Sequence, residues 1–246
     1  MSIVDLNADV GEGAGQDEEI FRLITSANIA CGGHAGDEDS MTIAVIGAMQ
    51  HNVAVGAHPG LEDPGDFGRT ERPISPAEVV DLVLRQVSAL QKVAAEKGSR
   101  VAHVKPHGAL YNMAARDPVL ADAIATAVAQ LDRGLVLFGL AGSALLTAGE
   151  ERGLRVASEV FADRRYQASG ALVPRSRPDA LIEGEDEAVE QTLRMVREGQ
   201  VRAVSGEMVA VRADTICLHG DSPHAVQFAR RLRSALFHEN CTVGRI

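Results

Sequence analysis

Asp5-Leu6-Asn7-Ala8-Asp9-Val10-Gly11-Glu12-Gly13 is the stretch on which the fold turns. Polar and apolar residues alternate through Val10, so on a strand Asp5, Asn7 and Asp9 share one face. Burying three polar groups without partners costs about 1–3 kcal/mol each. A strand that carries them inward must therefore pair them or use them. Asp9, nearest the strand exit, is expected to be functional. Asp5 is expected to pair with a basic residue at the barrel floor. Gly11 and Gly13 allow the backbone to approach a ligand, with Glu12 between them as a base or a ligand contact.

Four later runs repeat the pattern. Cys31-Gly-Gly-His34-Ala-Gly-Asp37, Gly56-Ala-His58-Pro59-Gly60, Lys105-Pro106-His107-Gly108 and His219-Gly220-Asp221 each follow a short apolar stretch. Core packing gives no reason to place ionisable groups at five strand ends. An active site at the carboxyl ends of parallel strands does.

The rest of the chain supports one α/β domain over residues 1–246. Apolar runs at Ile3–Leu6, Ala27–Cys31, Val53–Ala57, Val101–Val104, Leu135–Leu140, Leu154–Ala157, Val201–Val204 and Thr215–Leu218 read as strands buried on both faces. Helical stretches separate most of them. Ser75-Pro76-Ala77-Glu78 combines an N-cap serine, a first-position proline and a capping-box glutamate, and Gly98 ends that helix. Asp117-Pro118 and Ser222-Pro223 open two more. Further helices are expected near 17–25, 39–51, 143–152 and 185–198. Strands alternating with helices make a parallel sheet, and about seven such units favour a nearly closed barrel. Gly206–Val211 reads as a small hairpin insert. Tyr166–Glu185, preceded by Arg164 and Arg165 and carrying Arg175 and Arg177, reads as a mobile lid over an anionic ligand.

Composition excludes several classes. A formal charge of −10 disfavours nucleic acid and anionic membrane as partners. Three cysteines with no paired spacing read as reduced thiols in a soluble cytoplasmic protein. No secretory signal or membrane-length apolar run is present. There is no P-loop, no complete Rossmann fingerprint and no G-x-S-x-G elbow.

Several chemistries remain. Lys105 and His107 point into one space, as a charge-neutralising cation and a proton shuttle. Asp9, His34 and His58 match a carboxylate-plus-two-imidazole metal site, although no local metal motif such as H-E-x-x-H occurs. The same residues could instead bind a small anion or nucleotide phosphates. His219 and Asp221 share a face and join the substrate-binding candidates with Asn7, His34, His58 and Arg69. Cys31 with His34 is a minor nucleophile reading, since Cys31 and Cys217 are apolar-flanked.

Taken together, Asp5–Gly13, Ser26–Asp37, Gly56–Gly60, Phe67-Gly-Arg69, Val104–Asn112, Glu159–Arg164 and Ile216–Asp221 resemble the LamB/YcsF family across nearly the whole chain. The resemblance implies a distorted seven-stranded β/α barrel of the glycoside hydrolase/deacetylase type. It also implies ATP-dependent opening of 5-oxo-L-proline to L-glutamate with two further subunits, B and C, the ATP carrying Mg2+ as counter-ion. Ala8 stands where the family usually has cysteine, and Gly33 where it usually has phenylalanine. The second change is expected to widen the pocket mouth.

Lactam opening through a phosphorylated amide oxygen needs a cation near the phosphoryl group, a base for water and donors for the oxyanion. From residue chemistry, Lys105 fits the cation, and Asp9 or Glu12 the base. His34, His58 and His107 fit proton transfer or positioning, and Arg69 a bidentate clamp on the substrate carboxylate. Two other readings stand beside this one. They are a metal-dependent deacetylase or amidohydrolase without ATP, and a non-catalytic lactam-binding subunit.

Overall fold

The computed structural model describes residues 3–218 and 225–246. Seven parallel strands close into a barrel: β1 (Ile3–Val10), β2 (Ser26–Ala30), β3 (Ala54–His58), β4 (Val101–Val104), β5 (Val136–Leu140), β6 (Arg155–Phe161) and, after a two-strand insert, β9 (Thr215–Leu218). Closure comes from β9, which pairs with β6 on one side and β1 on the other. Strand residues such as Leu6, Ile29, Val104, Leu137 and Ile216 are fully buried, because helices cover the outside while side chains fill the inside.

The expected strand at 201–204 is not a barrel strand. β7 (Gln200–Arg202) pairs antiparallel with β8 (Met208–Ala210) as a separate two-stranded insert. Its burial alternates, with only Val201 inside. β10 (Thr242–Val243) adds to the start of β1, below the barrel closure.

The helices are α1 (Asp17–Phe21), α2 (Glu38–Gln50), α3 (Pro76–Glu96), α4 (Gly108–Arg116), α5 (Pro118–Leu131), α6 (Ala144–Glu151), α7 (Glu185–Glu198) and α8 (Ala225–His238). The Ser75–Glu78 capping box that starts α3 forms in both directions. Asp117 caps α5. Asp37, from one of the glycine-marked runs, proves to be the N-cap of α2, reciprocated by Ser40. α4 is not expected from the sequence, since Gly108 reads locally as a strand exit. Ser222-Pro223, together with His219 and Asp221, lies outside the described residues. Among the described residues no helix is long and apolar enough to cross a membrane.

Candidate active site

The alternation of β1 places Asp5, Asn7 and Asp9 in three successive layers of the barrel interior. Asp5 is fully buried, and its carboxylate accepts from the hydroxyls of Thr25 (2.6 Å), Ser26 (2.7 Å) and Thr215 (2.6 Å). Among the described residues no basic side chain meets Asp5: three hydroxyls take the place of the expected partner. Burial still pushes the Asp5 carboxyl above its ordinary value, the three hydrogen bonds opposing that shift.

One layer up, Asn7 donates to Glu159 (3.0 Å) and Thr215 (2.7 Å) and accepts from Asn28 and Lys105. Lys105 is buried just past β4. Its Nζ lies 3.0 Å from Asp9 Oδ1, 2.9 Å from Glu159 Oε1, 3.2 Å from Asn7 Oδ1 and 3.1 Å from Cys217 Sγ. Burial disfavours its charge, but Asp9 and Glu159 outweigh that and hold the ammonium well above its ordinary range. Its three protons are committed to these neighbours. Lys105 thus acts as an internal counter-ion, with no proton spare for a phosphoryl group. Glu159, on β6, also accepts from the Tyr111 hydroxyl at 2.7 Å. Glu159, Tyr111 and Asn28 belong to this network, and residue-by-residue reading of the sequence gives none of them a role.

Above this layer sit three imidazoles and Glu12. His34 stacks on His107 with centroids 3.5 Å apart, and His58 meets both edge-on. Such crowding explains the glycines. A Cβ at Gly60 would lie 2.6 Å from His34 Nδ1, and one at Gly68 2.8 Å from His34 Cβ. Gly56 is required for the same reason lower down, where a side chain would collide with the buried His103 ring.

Tautomers can be assigned from backbone partners. His58 Nδ1 lies 2.7 Å from the Lys105 carbonyl, and His107 Nε2 lies 2.9 Å from the Phe67 carbonyl. Carbonyls only accept, so both nitrogens carry protons. The other two nitrogens, His58 Nε2 and His107 Nδ1, then face each other at 2.9 Å with lone pairs toward one another. A proton or a cation must lie between them. Glu12 Oε1 is 3.6 Å from His107 Nδ1 and 4.0 Å from His58 Nε2. Three points 2.9, 3.6 and 4.0 Å apart lie on a circle of radius about 2.1 Å, close to the usual distance of nitrogen and oxygen ligands from zinc. His34 Nε2, 2.9 Å from Glu12 Oε1, completes a group whose ligand atoms all lie within 4.8 Å. Backbone carbonyls orienting imidazoles from behind are a familiar outer shell of metal sites. The donor set fits a divalent cation.

This grouping differs from the anticipated trio. Glu12 and His107 join His34 and His58, whereas Asp9 is engaged by Lys105 and by Asn28 at 2.8 Å, with Oδ2 still 3.3 Å from His58 Nε2. Burial, then the charges of its imidazole neighbours, lowers His107 below its ordinary value; burial likewise lowers His34.

A cavity of about 760 Å3 opens over this centre. Asp9, Glu12, His58, Lys105 and His107 form its imidazole end, and Arg69 stands on its rim over the Phe67 ring, 4.9 Å from the centroid. The opposite wall comes from the loops after β5 and β6 and from Gln167 and Ser169–Ser176. That wall is packed in place. Tyr166 is fully buried, its hydroxyl accepts from the Phe161 N–H at 2.7 Å, and Arg164 donates to the Val173 carbonyl at 2.6 Å. The expected mobile lid is a pinned strap. Nor does Gly33 widen the mouth. Gln86 fills the space beside it and bonds Gly60 in both directions, at 3.0 and 2.8 Å. The Cys31–His34 dyad is also ruled out, because the Cys31 thiol donates to the Ile29 carbonyl and burial pushes it up to about 12.

The LamB/YcsF family profile matches residues 4–246. The chain belongs to the LamB/YcsF family. It is 55% identical over 232 residues to the 5-oxoprolinase A subunit of Erwinia tasmaniensis, covering 94% of this chain and 95% of that one. The 5-oxoprolinase A subunit of Bordetella pertussis is 54% identical over 245 residues, covering 98% and 97%. Among solved structures, a lactam utilization protein from Thermus thermophilus superposes with a TM-score of 0.92 at 48% identity, over the full length of both chains. A peptidoglycan deacetylase, PdaC from Bacillus subtilis, reaches a TM-score of 0.50 at 11% identity, covering 99% of this chain and 86% of that one, and shares the fold alone. The seven-stranded β/α barrel that the sequence resemblance implied is the fold observed, and the deacetylase shares it.

Proposed function

We propose that this chain is the lactam-opening subunit of an ATP-dependent 5-oxoprolinase, working with partner subunits B and C. The observation that carries the proposal is the buried Asp9–Lys105–Glu159 array beneath Glu12 and three imidazoles, at the floor of a cavity whose opposite wall is cationic. The names borne by the relatives point to the same substrate class. ATP, carrying Mg2+, phosphorylates the lactam oxygen, a step assigned to the partners because this sequence has no P-loop.

Water then adds to the ring carbon. Expelling phosphate from that adduct would only regenerate the lactam, so the carbon–nitrogen bond must break. The nitrogen leaves with a proton, and the product is an acyl phosphate. A second water converts it to glutamate and inorganic phosphate. Glu12 is the base for water, since its Oε1 is held by an imidazole and not by Lys105. Asp9, 3.0 Å from the Lys105 ammonium and 3.3 Å from His58, stabilises positive charge developing on the imidazoles. His58 and His107, with Nε2 and Nδ1 2.9 Å apart, relay the proton to the leaving nitrogen. The test is glutamate release from 5-oxo-L-proline by this chain combined with candidate B and C subunits. Glutamate that requires both ATP and this chain is expected. An assembled complex that yields none would refute the proposal.

The facing lone pairs of His58 and His107 favour a second reading, a metal-dependent amide hydrolase that needs no ATP. Glu12, His34, His58 and His107 would hold the ion, whose chemistry is to polarise a carbonyl and acidify water. Asp9 would then be the base. Stoichiometric metal in the purified chain, with ATP-independent hydrolysis lost on chelation, would decide for this reading.

A further inference from the structure

Lys105 has no donor to spare, so any phosphoryl group on the substrate needs another cation. We propose that the wall of the cavity after β5 and β6 is a phosphoryl-binding subsite, formed by Ser143, the first turn of α6, Arg164 and Arg175. This rests on the reading that the lactam arrives phosphorylated.

Ser143 is the N-cap residue of α6, with the extended backbone that a cap requires (φ −80°, ψ 158°). Its hydroxyl nevertheless makes no capping hydrogen bond, and Oγ is buried without any partner. The first N–H groups of α6 therefore lack a side-chain acceptor, and a buried hydroxyl stands beside them unused. Helix N-termini of this kind attract anions. Ser143 and Gly142 line the cavity.

Arg164 lines the same cavity from the loop after β6, the strand next to β5. It is 4% exposed, and it donates only to the carbonyls of Val173 and Ala180. Those bonds orient the guanidinium without neutralising it. Adjacent Arg165 shows the contrast, since it is paired with both oxygens of Glu187 at 2.6 and 3.1 Å. A buried cation without a carboxylate partner is costly in the free protein. Burial and the nearby Arg175 charge lower Arg164 to about 10. Two like charges thus converge on a cavity wall; the adjacent Asp163 carboxylate offsets them only in part, and no described carboxylate forms a salt bridge with either. Of the described carboxylates lining the cavity, Asp9 and Glu12 lie at the imidazole end, Glu71 is paired with Arg116 and Asp66 accepts from the Thr70 hydroxyl, so an anionic group is steered to this wall. A tetrahedral dianion with three acceptor oxygens suits the donors on offer: a hydroxyl, helix N–H groups and two guanidinium groups.

Inorganic phosphate titrated calorimetrically into the full-length chain tests the subsite. Arg164 also pins the strap, so Ser143→Ala and Arg175→Gln are the informative variants. Each should weaken phosphate binding roughly tenfold with unchanged thermal unfolding. Undetectable phosphate binding, or binding indifferent to both variants, would overturn the proposal. Glutamate displacing phosphate, with affinity lost in the same variants, would reassign the wall to the substrate carboxylate and also overturn it. Turnover by the assembled complex separates the two ideas. Glutamate formed while phosphate binding ignores the variants sinks the subsite alone. Variant-dependent phosphate binding without any glutamate sinks the oxoprolinase reading alone.

Discussion

Asp5 and Asp9 lie on the same face of the same strand, one at the floor of the barrel and one below its mouth. At the floor, three hydroxyls satisfy a fully buried carboxylate. At the mouth, Asp9 is one of three carboxylates around a single ammonium and three imidazoles, two of which aim lone pairs at each other. The floor is complete without a ligand. The mouth carries net negative charge and an unmet valence. A polar network in which every acceptor has a donor serves the fold, whereas one that leaves acceptors facing each other is built to receive something.

The contrast can be broken most directly at Lys105. Lys105→Ala should lower glutamate formation at least about a thousandfold and leave Asp9 and Glu159 buried without their cation. Stability should fall as well, by about 3–5 kcal/mol, which denaturant unfolding would register. Full turnover in the variant would remove Lys105 from the centre. Next in size is His58→Ala or His107→Ala. If a divalent ion lies between the rings, either change should reduce bound zinc or manganese, measured by elemental analysis, at least tenfold to a hundredfold. Equal metal content in variant and parent would leave a shared proton as the occupant. The paired comparison is Asp5→Asn against Asp9→Asn. Asp9→Asn should reduce kcat about a hundredfold or more. Asp5→Asn should cost about 1–3 kcal/mol of stability and leave kcat within a few-fold. Equal kinetic penalties would show that floor and mouth are one functional unit.

What is legible in the sequence follows from the same contrast. The barrel is legible because a strand buried on both faces has a plain signature, and because Asp5, Asn7 and Asp9 break it at every second residue. The Val201–Val204 run has similar composition, yet Gln200 and Arg202 flank Val201 as exposed residues, the alternation of a half-buried hairpin. The apolar run that marks β6 stops at Ala157, whereas the strand continues to Phe161. Glu159, followed by Val160 and Phe161, interrupts the apolar strand as Asp9 interrupts β1, and the same logic applied to β6 finds it. The facing of His58 and His107 is not legible. It depends on the Lys105 and Phe67 carbonyls fixing two tautomers, and no spacing encodes where a backbone carbonyl from another loop will point. The filling of the Gly33 space by Gln86, from α3, is likewise a long-range contact.

The smallest predicted effect concerns His103, which sits between the two layers. Its ring is buried, stacks on Phe138 at 4.2 Å, and has Nε2 2.8 Å from Asn28 Oδ1. Burial, with the Lys105 charge next, lowers it to about 3. An unfolded histidine titrates near 6.5. Between these values the unfolded chain binds a proton that the native chain refuses, so stability rises with pH across this window and is lost as pH falls. From pH 7 to pH 5 this one ring should account for roughly 2 kcal/mol of lost stability. His103→Asn should flatten the dependence of unfolding free energy on pH over that interval, whatever its effect at pH 7. The same slope in parent and variant would mean that the acid sensitivity arises in the imidazole cluster at the mouth. The layer holding Asn28 and Lys105 would then behave as the floor does, with every group already satisfied.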